Sequence, residues 1–180
     1  MASAVSTESR INQTVLRLIK DDITDLDIDA FVFYAQNDLV LGSGFGNAIA
    51  VRGGPTIQKE LNALAPVETG ESVISDAGNL KAKFIIHAVG PKFQEEGTEV
   101  KLRATMLSAL RRADEKQIPH VAFPAMGAGY YGIPPAVCAR VMLETLAHHL
   151  QGQTGIQEVV ICVLDTPQYN AFAAAIAALG

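Results

Sequence analysis

Short apolar runs alternate along this chain with stretches whose apolar residues recur at helical spacing. Runs over 15–19, 30–35, 72–75, 84–89, 120–124 and 158–164, several of them rich in Val, Ile and Phe, read as strands. Phe84-Ile85-Ile86 and Val159-Val160-Ile161-Cys162-Val163-Leu164 carry no charged position, as expected of strands covered on both faces. Between the runs, 47–51 and 56–64 form a helical pattern broken at Gly53-Gly54-Pro55, and Val100, Ala104, Leu107 and Leu110 mark another helix. Pro134-Pro135 opens the next, where missing N–H groups cost nothing, and Cys138, Val141, Met142, Thr145 and Leu146 form its apolar face. Thr166-Pro167 offers an N-cap and first-turn proline for an Ala-rich helix to about Leu179. The alternation predicts the α/β class: a three-layer α/β/α sandwich around a mixed, mostly parallel central sheet. The turn signal Ala77-Gly78-Asn79 lets runs 72–75 and 84–89 pair as an antiparallel or edge element.

Composition narrows the function. With 180 residues, 49% hydrophobic and 18% charged, the chain belongs with globular proteins large enough to bury a core. Residues 1–13 are polar and mixed in charge, so a flexible N-terminal arm is expected ahead of a single domain over 14–180, with no targeting segment. The net charge of −5 argues against a broad basic face for nucleic acid, which is not expected as a partner. One phosphorylated metabolite remains compatible with it, because backbone amides hold phosphate without lysine. No apolar run approaches the length of a membrane span, and no membrane partner is expected. Cys138 and Cys162 lack C-x-x-C spacing and read as small buried residues in a reducing compartment, so the cytoplasm is the expected location. His87, His120, His148 and His149 show no metal-ligand spacing, and neither a metal nor a cofactor is expected.

Two glycine-rich loops carry the candidate chemistry. Leu41-Gly42-Ser43-Gly44-Phe45-Gly46-Asn47 and Gly127-Ala128-Gly129-Tyr130-Tyr131-Gly132 each lie between a strand and a helix. Glycine lets a backbone approach a ligand closely, and a helix starting there points N–H groups and its positive dipole end at the same place. Either loop alone is equally well read as a tight turn; together they favour one anion gripped from two sides, a pyrophosphate. Both follow strands, which puts them at the carboxyl edge of the sheet. The second loop matches G-x-G-x-x-G, but it falls too late in the chain for a dinucleotide fold. Pro134-Pro135 follows directly, and no acidic residue sits at the end of a next strand about 20 residues on to hold a ribose. Asp21-Asp22-Ile23-Thr24 reads first as a capped turn and, alternatively, as a carboxylate for an exocyclic amine. Phe45, Tyr130 and Tyr131 suit stacking on a sugar or base. His87 reads as a core histidine and Asp165 as a helix cap.

In order, these segments resemble the macrodomains, which bind ADP-ribose, from Val15 to about Leu179. Asp22-Ile23-Thr24 matches the family's Gly-Asp-Ile-Thr, with Asp21 in place of the glycine, and Gly42-Ser43-Gly44-Phe45-Gly46-Asn47-Ala48-Ile49 its first phosphate loop and helix. Gly53-Gly54-Pro55, Ala77-Gly78-Asn79-Leu80, Phe84-Ile85-Ile86-His87, Phe123-Pro124-Ala125 and the second glycine loop match as well. The resemblance implies that Asp22 accepts the adenine amine beside the Ile23 backbone. It implies that the first loop, with Ser43, Gly44, Phe45 and Gly46, and the second, with Gly127, Ala128, Gly129, Tyr130 and Tyr131, cradle the diphosphate. Tyr131 would close over the distal ribose.

Three departures bear on activity. Hydrolytic members carry Asn-Ala-Ala-Asn where this chain has Phe33-Tyr34-Ala35-Gln36, so Gln36 replaces the asparagine that orients the distal ribose. Asn37 is the alternative amide. The catalytic aspartate of one hydrolase branch aligns with Gly46, and the frequent aromatic on the adenine aligns with Leu164, forfeiting a stacking contribution of roughly 1 kcal/mol. The implied function is binding of ADP-ribose or a related small molecule, with an ADP-ribosylated protein as a further partner. The first alternative is a hydrolase of ADP-ribosyl adducts, O-acetyl-ADP-ribose or ADP-ribose-1″-phosphate, working by substrate positioning. The second is a degenerate macrodomain with an altered ligand or a protein-interaction role. No catalytic residue is assigned.

Overall fold

The computed structural model describes residues 6–42, 44–92 and 94–179, with the backbone alone of Ser6 and Tyr130. The strands are β1 (Ser6–Ile11), β2 (Thr14–Lys20), β3 (Ala30–Ala35), β4 (Ser72–Asp76), β5 (Phe84–Val89), β6 (His120–Phe123) and β7 (Glu158–Val163). The helices are α1 (Phe45–Gly53), α2 (Pro55–Leu64), α3 (Thr98–Glu115), α4 (Pro135–Leu150) and α5 (Thr166–Leu179). The strands form one sheet in the order β1-β2-β7-β6-β3-β5-β4. The strands from β2 through β5 in that order run parallel, while β1 and β4 close the two edges antiparallel. This is the expected three-layer α/β/α sandwich with a mixed, mostly parallel sheet.

Period-two alternation along the inner strands builds two cores. Val32 and Tyr34 of β3, Ile86 of β5 and Val159 and Ile161 of β7 pack with α3, α4 and α5. Phe31 and Ala35, Ile85 and Val89, and Val160 and Cys162 face the other way, onto Ile49 of α1 and Ile57 and Leu61 of α2. A strand buried on both sides has no polar position to spare, which is why its sequence is continuously apolar.

Residues 6–11 overturn the expected flexible arm, of which residues 1–5 lie outside the described residues. They form β1, paired with β2 from Ser6↔Ile19 to Ile11↔Thr14. Ile11 alone among its described side chains is buried. Glu8 meets Arg17 at 3.2 Å, and Thr7 Oγ1 lies 2.8 Å from the Tyr169 hydroxyl. Polar side chains on an edge strand discourage pairing with other chains, and the same polarity hides the strand from hydrophobic patterning. At the other end of the chain, the cap of α5 is Asp165 and not Thr166: its Oδ1 accepts the Gln168 N–H at 2.9 Å. Helix α1 starts at Phe45, two residues before the expected 47.

Candidate functional site

A cleft of about 720 Å³ opens at the carboxyl ends of β2, β7, β6 and β3. None of the described residues that line it is charged. Gly44 and Phe45 of the first glycine loop and Gly127, Ala128 and Gly129 of the second all line it. Gly44 is the N-cap of α1, with no side-chain cap and no acidic residue in the first turn. The first N–H groups of a helix have no intrahelical acceptor, so the start of α1 brings donors and the positive dipole end to the cleft. The second loop winds into a single 3-10 turn, Gly129–Tyr131. Gly127 starts it at φ +84°, and a Cβ there would lie 2.4 Å from Ile133 Cδ1.

Gly46 has a different duty. It is buried and does not line the cleft; a Cβ on it would sit 1.5 Å from the Leu41 carbonyl oxygen. The first loop folds back onto α1 at that point, and any side chain would force it off.

The β2–β7 end of the cleft is organised by hydrogen bonds. Asp22 caps a 3-10 turn, Ile23–Asp25: its Oδ1 accepts the Thr24 N–H at 3.0 Å and the Thr24 hydroxyl at 2.6 Å. Its Oδ2 accepts Arg52 Nη1 at 2.9 Å, and the same guanidinium nitrogen donates to Thr24 Oγ1 at 3.0 Å. Burial pushes the Asp22 carboxyl up, but the bonds from Thr24 and Arg52 outweigh it and hold the group below its ordinary range. Ile23 and Thr24 line the cleft, and Asp22, bonded to Thr24, is partly exposed beside them. Leu164 is 56% exposed and forms an apolar wall. Cys162 lies beneath, its thiol donating to the Asp21 carbonyl at 3.3 Å and pushed up to about 12 by burial and then by the Asp21 charge. A thiol held protonated is no nucleophile. Gln168 completes this end, its Oε1 accepting the Leu164 N–H at 2.9 Å.

The β3 end is aromatic. Phe33, Tyr34 and Gln36 all line it. The Tyr34 hydroxyl donates to the Pro91 carbonyl, and its ring lies 4.6 Å from that of Tyr131 at a 58° tilt. Burial pushes the Tyr34 phenol up, well beyond its ordinary value. Phe33 stands edge-on to His87, with centroids 6.0 Å apart. His87 is buried in β5; its Nε2 lies 2.8 Å from Ser75 Oγ, and Nδ1 has no partner among the described residues. Burial lowers it to about 3, so the ring is neutral, as expected of a core histidine. Gln36 is exposed, its Nε2 3.5 Å from where a Cβ on Gly42 would stand. Asn37 is not its substitute: its Nδ2 donates to the Val67 carbonyl at 2.9 Å.

The expected residues Ile23, Gln36, Gly44, Phe45, Gly127, Ala128, Gly129, Tyr131 and Leu164 thus share one cleft. Asp22 is not among the lining residues but bonds to Thr24, which is, and Gly46 serves packing. Ser43 and the Tyr130 side chain lie outside the described residues. Sequence reasoning missed Thr24, Cys162 and Gln168 as wall residues. Nothing in the periodicity of α5 marks Gln168, whose role arises from a bond to the preceding corner.

The family model described as Macro domain matches residues 34–142. A macro domain-containing protein of Caldanaerobacter subterraneus subsp. tengcongensis is 36% identical over 166 residues, 89% of this chain and 94% of its own. An uncharacterized protein of Saccharolobus solfataricus is 40% identical over 159 residues, 86% of this chain and 88% of its own. Among solved structures, the Oceanobacillus iheyensis macrodomain with ADP matches at TM-score 0.93 and 26% identity, covering 99% of this chain and 98% of that one. A point mutant of that protein with ADPR matches at TM-score 0.92 and 26% identity, covering 97% and 98%.

Proposed function

The chain belongs to the macro domain family, and we propose that its cleft binds ADP-ribose or a related ADP-ribose derivative. One observation carries the reading: the start of α1 and the second glycine loop converge on one uncharged cleft at the carboxyl edge of the sheet. Such a site holds a diphosphate by backbone donors and a helix dipole instead of by lysine or arginine. The Oceanobacillus iheyensis relative, with ADP and ADPR as its ligands, supports the same ligand class.

Adenine then lies at the β2–β7 end against Ile23 and Leu164, and the distal ribose at the β3 end below Tyr131 and beside Gln36. A carboxylate offers about four lone-pair sites. Asp22 spends three on Thr24 and Arg52, which leaves one for the adenine amine. Gly46 favours binding over hydrolysis, since the Leu41 carbonyl occupies the space an aspartate would need.

Calorimetric titration with ADP-ribose, ADP and AMP tests the reading. ADP-ribose and ADP are expected to bind, with AMP weaker by about tenfold or more because it lacks the second phosphate. No heat and no thermal shift with ADP-ribose overturns it. Turnover of O-acetyl-ADP-ribose by the purified protein would favour the hydrolase instead.

A further inference from the structure

We propose that Gln168 selects the base of the bound nucleotide, its carboxamide NH₂ donating a hydrogen bond to a ring nitrogen of the purine. The proposal rests on the ligand class proposed above and adds a specificity-determining residue to it.

The orientation of the amide follows from its partner. The Leu164 N–H can only donate, so the atom 2.9 Å away must be the carboxamide oxygen, and the nitrogen must point elsewhere. Gln168 is 7% exposed, yet its nitrogen has no hydrogen-bond partner among the described residues. That nitrogen is also not sealed from solvent, because the one fully buried, unpaired side-chain N or O among the described residues is His87 Nδ1. Gln168 is among the residues that line the cleft. The geometry thus points to the cleft as the space its two N–H donors face, on a side chain held by burial and by a backbone bond.

Around it the wall is apolar. Leu164, Cys162 and Ile23 offer a flat base no competing acceptor in the cleft. The Asp165 cap on the Gln168 N–H fixes the helix turn that carries the side chain. A donor fixed in such a wall costs little entropy to use and a good deal to leave unpaired, which is how a polar group gives specificity. Purine ring nitrogens are acceptors of the right kind for such a donor.

The test is a cycle of ligand against protein. Wild-type protein is titrated with ADP and with its 1-deaza, 3-deaza and 7-deaza analogues, each of which replaces one ring nitrogen by C–H. At least one analogue is expected to bind about 3- to 10-fold more weakly. Gln168→Glu keeps an oxygen for the Leu164 N–H and puts an acceptor where the donor was. In that variant ADP should weaken by a similar factor or more, and the penalty of that one analogue should vanish. The assignment is overturned if all three analogues match ADP in the wild type, or if every penalty survives Gln168→Glu. 2′-Deoxy-ADP is titrated alongside them, and the assignment also fails if its penalty is the one that vanishes in Gln168→Glu, since the amide would then serve the ribose. Should Gln168→Glu not fold, the wild-type series alone still decides through the first outcome. Wild-type protein that binds no ADP overturns the ligand class itself, which separates the two failures.

Discussion

Two glutamines stand at opposite ends of the cleft, and they behave differently. Gln168 is buried with its oxygen held by the Leu164 backbone, whereas Gln36 is exposed and its amide has no partner among the described residues. The same side chain is thus a fixed instrument at the β2–β7 end and an adaptable one at the β3 end. The surroundings follow suit. Asp22, Thr24 and Arg52 are tied together at the first end, while Phe33 and the Tyr34–Tyr131 pair line the second with apolar surface. Selectivity belongs where the polar groups are oriented before the ligand arrives, because the ordering entropy is then lost on folding and not on binding. On the proposed function, the β3 end, which would order Gln36 on binding, is the end that tolerates variation.

The largest effect is expected where the two ends meet. Gly46→Asp drives a side chain into the Leu41 carbonyl. It should cost about 3 kcal/mol or more, roughly 6–12 °C in Tm, and abolish ADP-ribose binding at both ends. A variant that melts normally and binds would show that the loop can shift away.

Acid should separate the two ends. The folded-state value of His87 is lowered to about 3 from 6.5, so the unfolded chain takes up a proton that the folded chain refuses. Stability from the neutral His87 is fully present above pH 6.5 and is lost as pH falls toward 3, by about 1.4 kcal/mol per pH unit. The Asp22 carboxyl is also lowered, from 3.8, so its contribution persists above that pH and fails only below it. The β3 end, resting on His87 through Phe33, should weaken first. Urea unfolding at pH 7, 5 and 4, for wild type and for His87→Phe, measures this; an unchanged slope in the variant would remove His87 from the account.

Next in size, Asp22→Ala should weaken adenosine-containing ligands by about 1–3 kcal/mol, as for a hydrogen bond to a charged group. Calorimetry with ADP reads it, and unchanged affinity would reduce Asp22 to the cap of its own turn. The smallest effect belongs to Gln36→Ala. A loss of about 0.5–1 kcal/mol is expected with ADP-ribose and none with ADP, which lacks the distal ribose. Equal losses with both ligands would erase the distinction between the ends.

Much of this was legible beforehand, for reasons that differ by element. Strands β3, β5 and β7 announce themselves because burial on both faces leaves continuous apolar runs. β1 does not, since it is held by pairing with β2, which is not written in its own six residues, and Ile11 alone among its described side chains is buried. The cap of α5 was half legible: Asp165 and Thr166 are both capping types, and only the bond to Gln168 N–H chooses between them. Gly44 and Gly46 look alike in the loop, but one borders the cleft while the other accommodates the Leu41 backbone.

By itself, then, the sequence determined the α/β architecture, the two glycine loops and the resemblance to macrodomains, because these depend on residue types at short, regular spacings. Only the tertiary structure decided which groups meet. Ile23, Phe33, Gly127 and Gln168 lie on four separate segments, and they share a cleft because β2, β7, β6 and β3 end side by side. The turn of the Gln168 oxygen to the Leu164 N–H, the constraint on Gly46 and a His87 nitrogen without a partner among the described residues are relations between atoms that packing brings together. Local pattern cannot encode them, since each is set by a partner from another element or by the path of a loop's backbone.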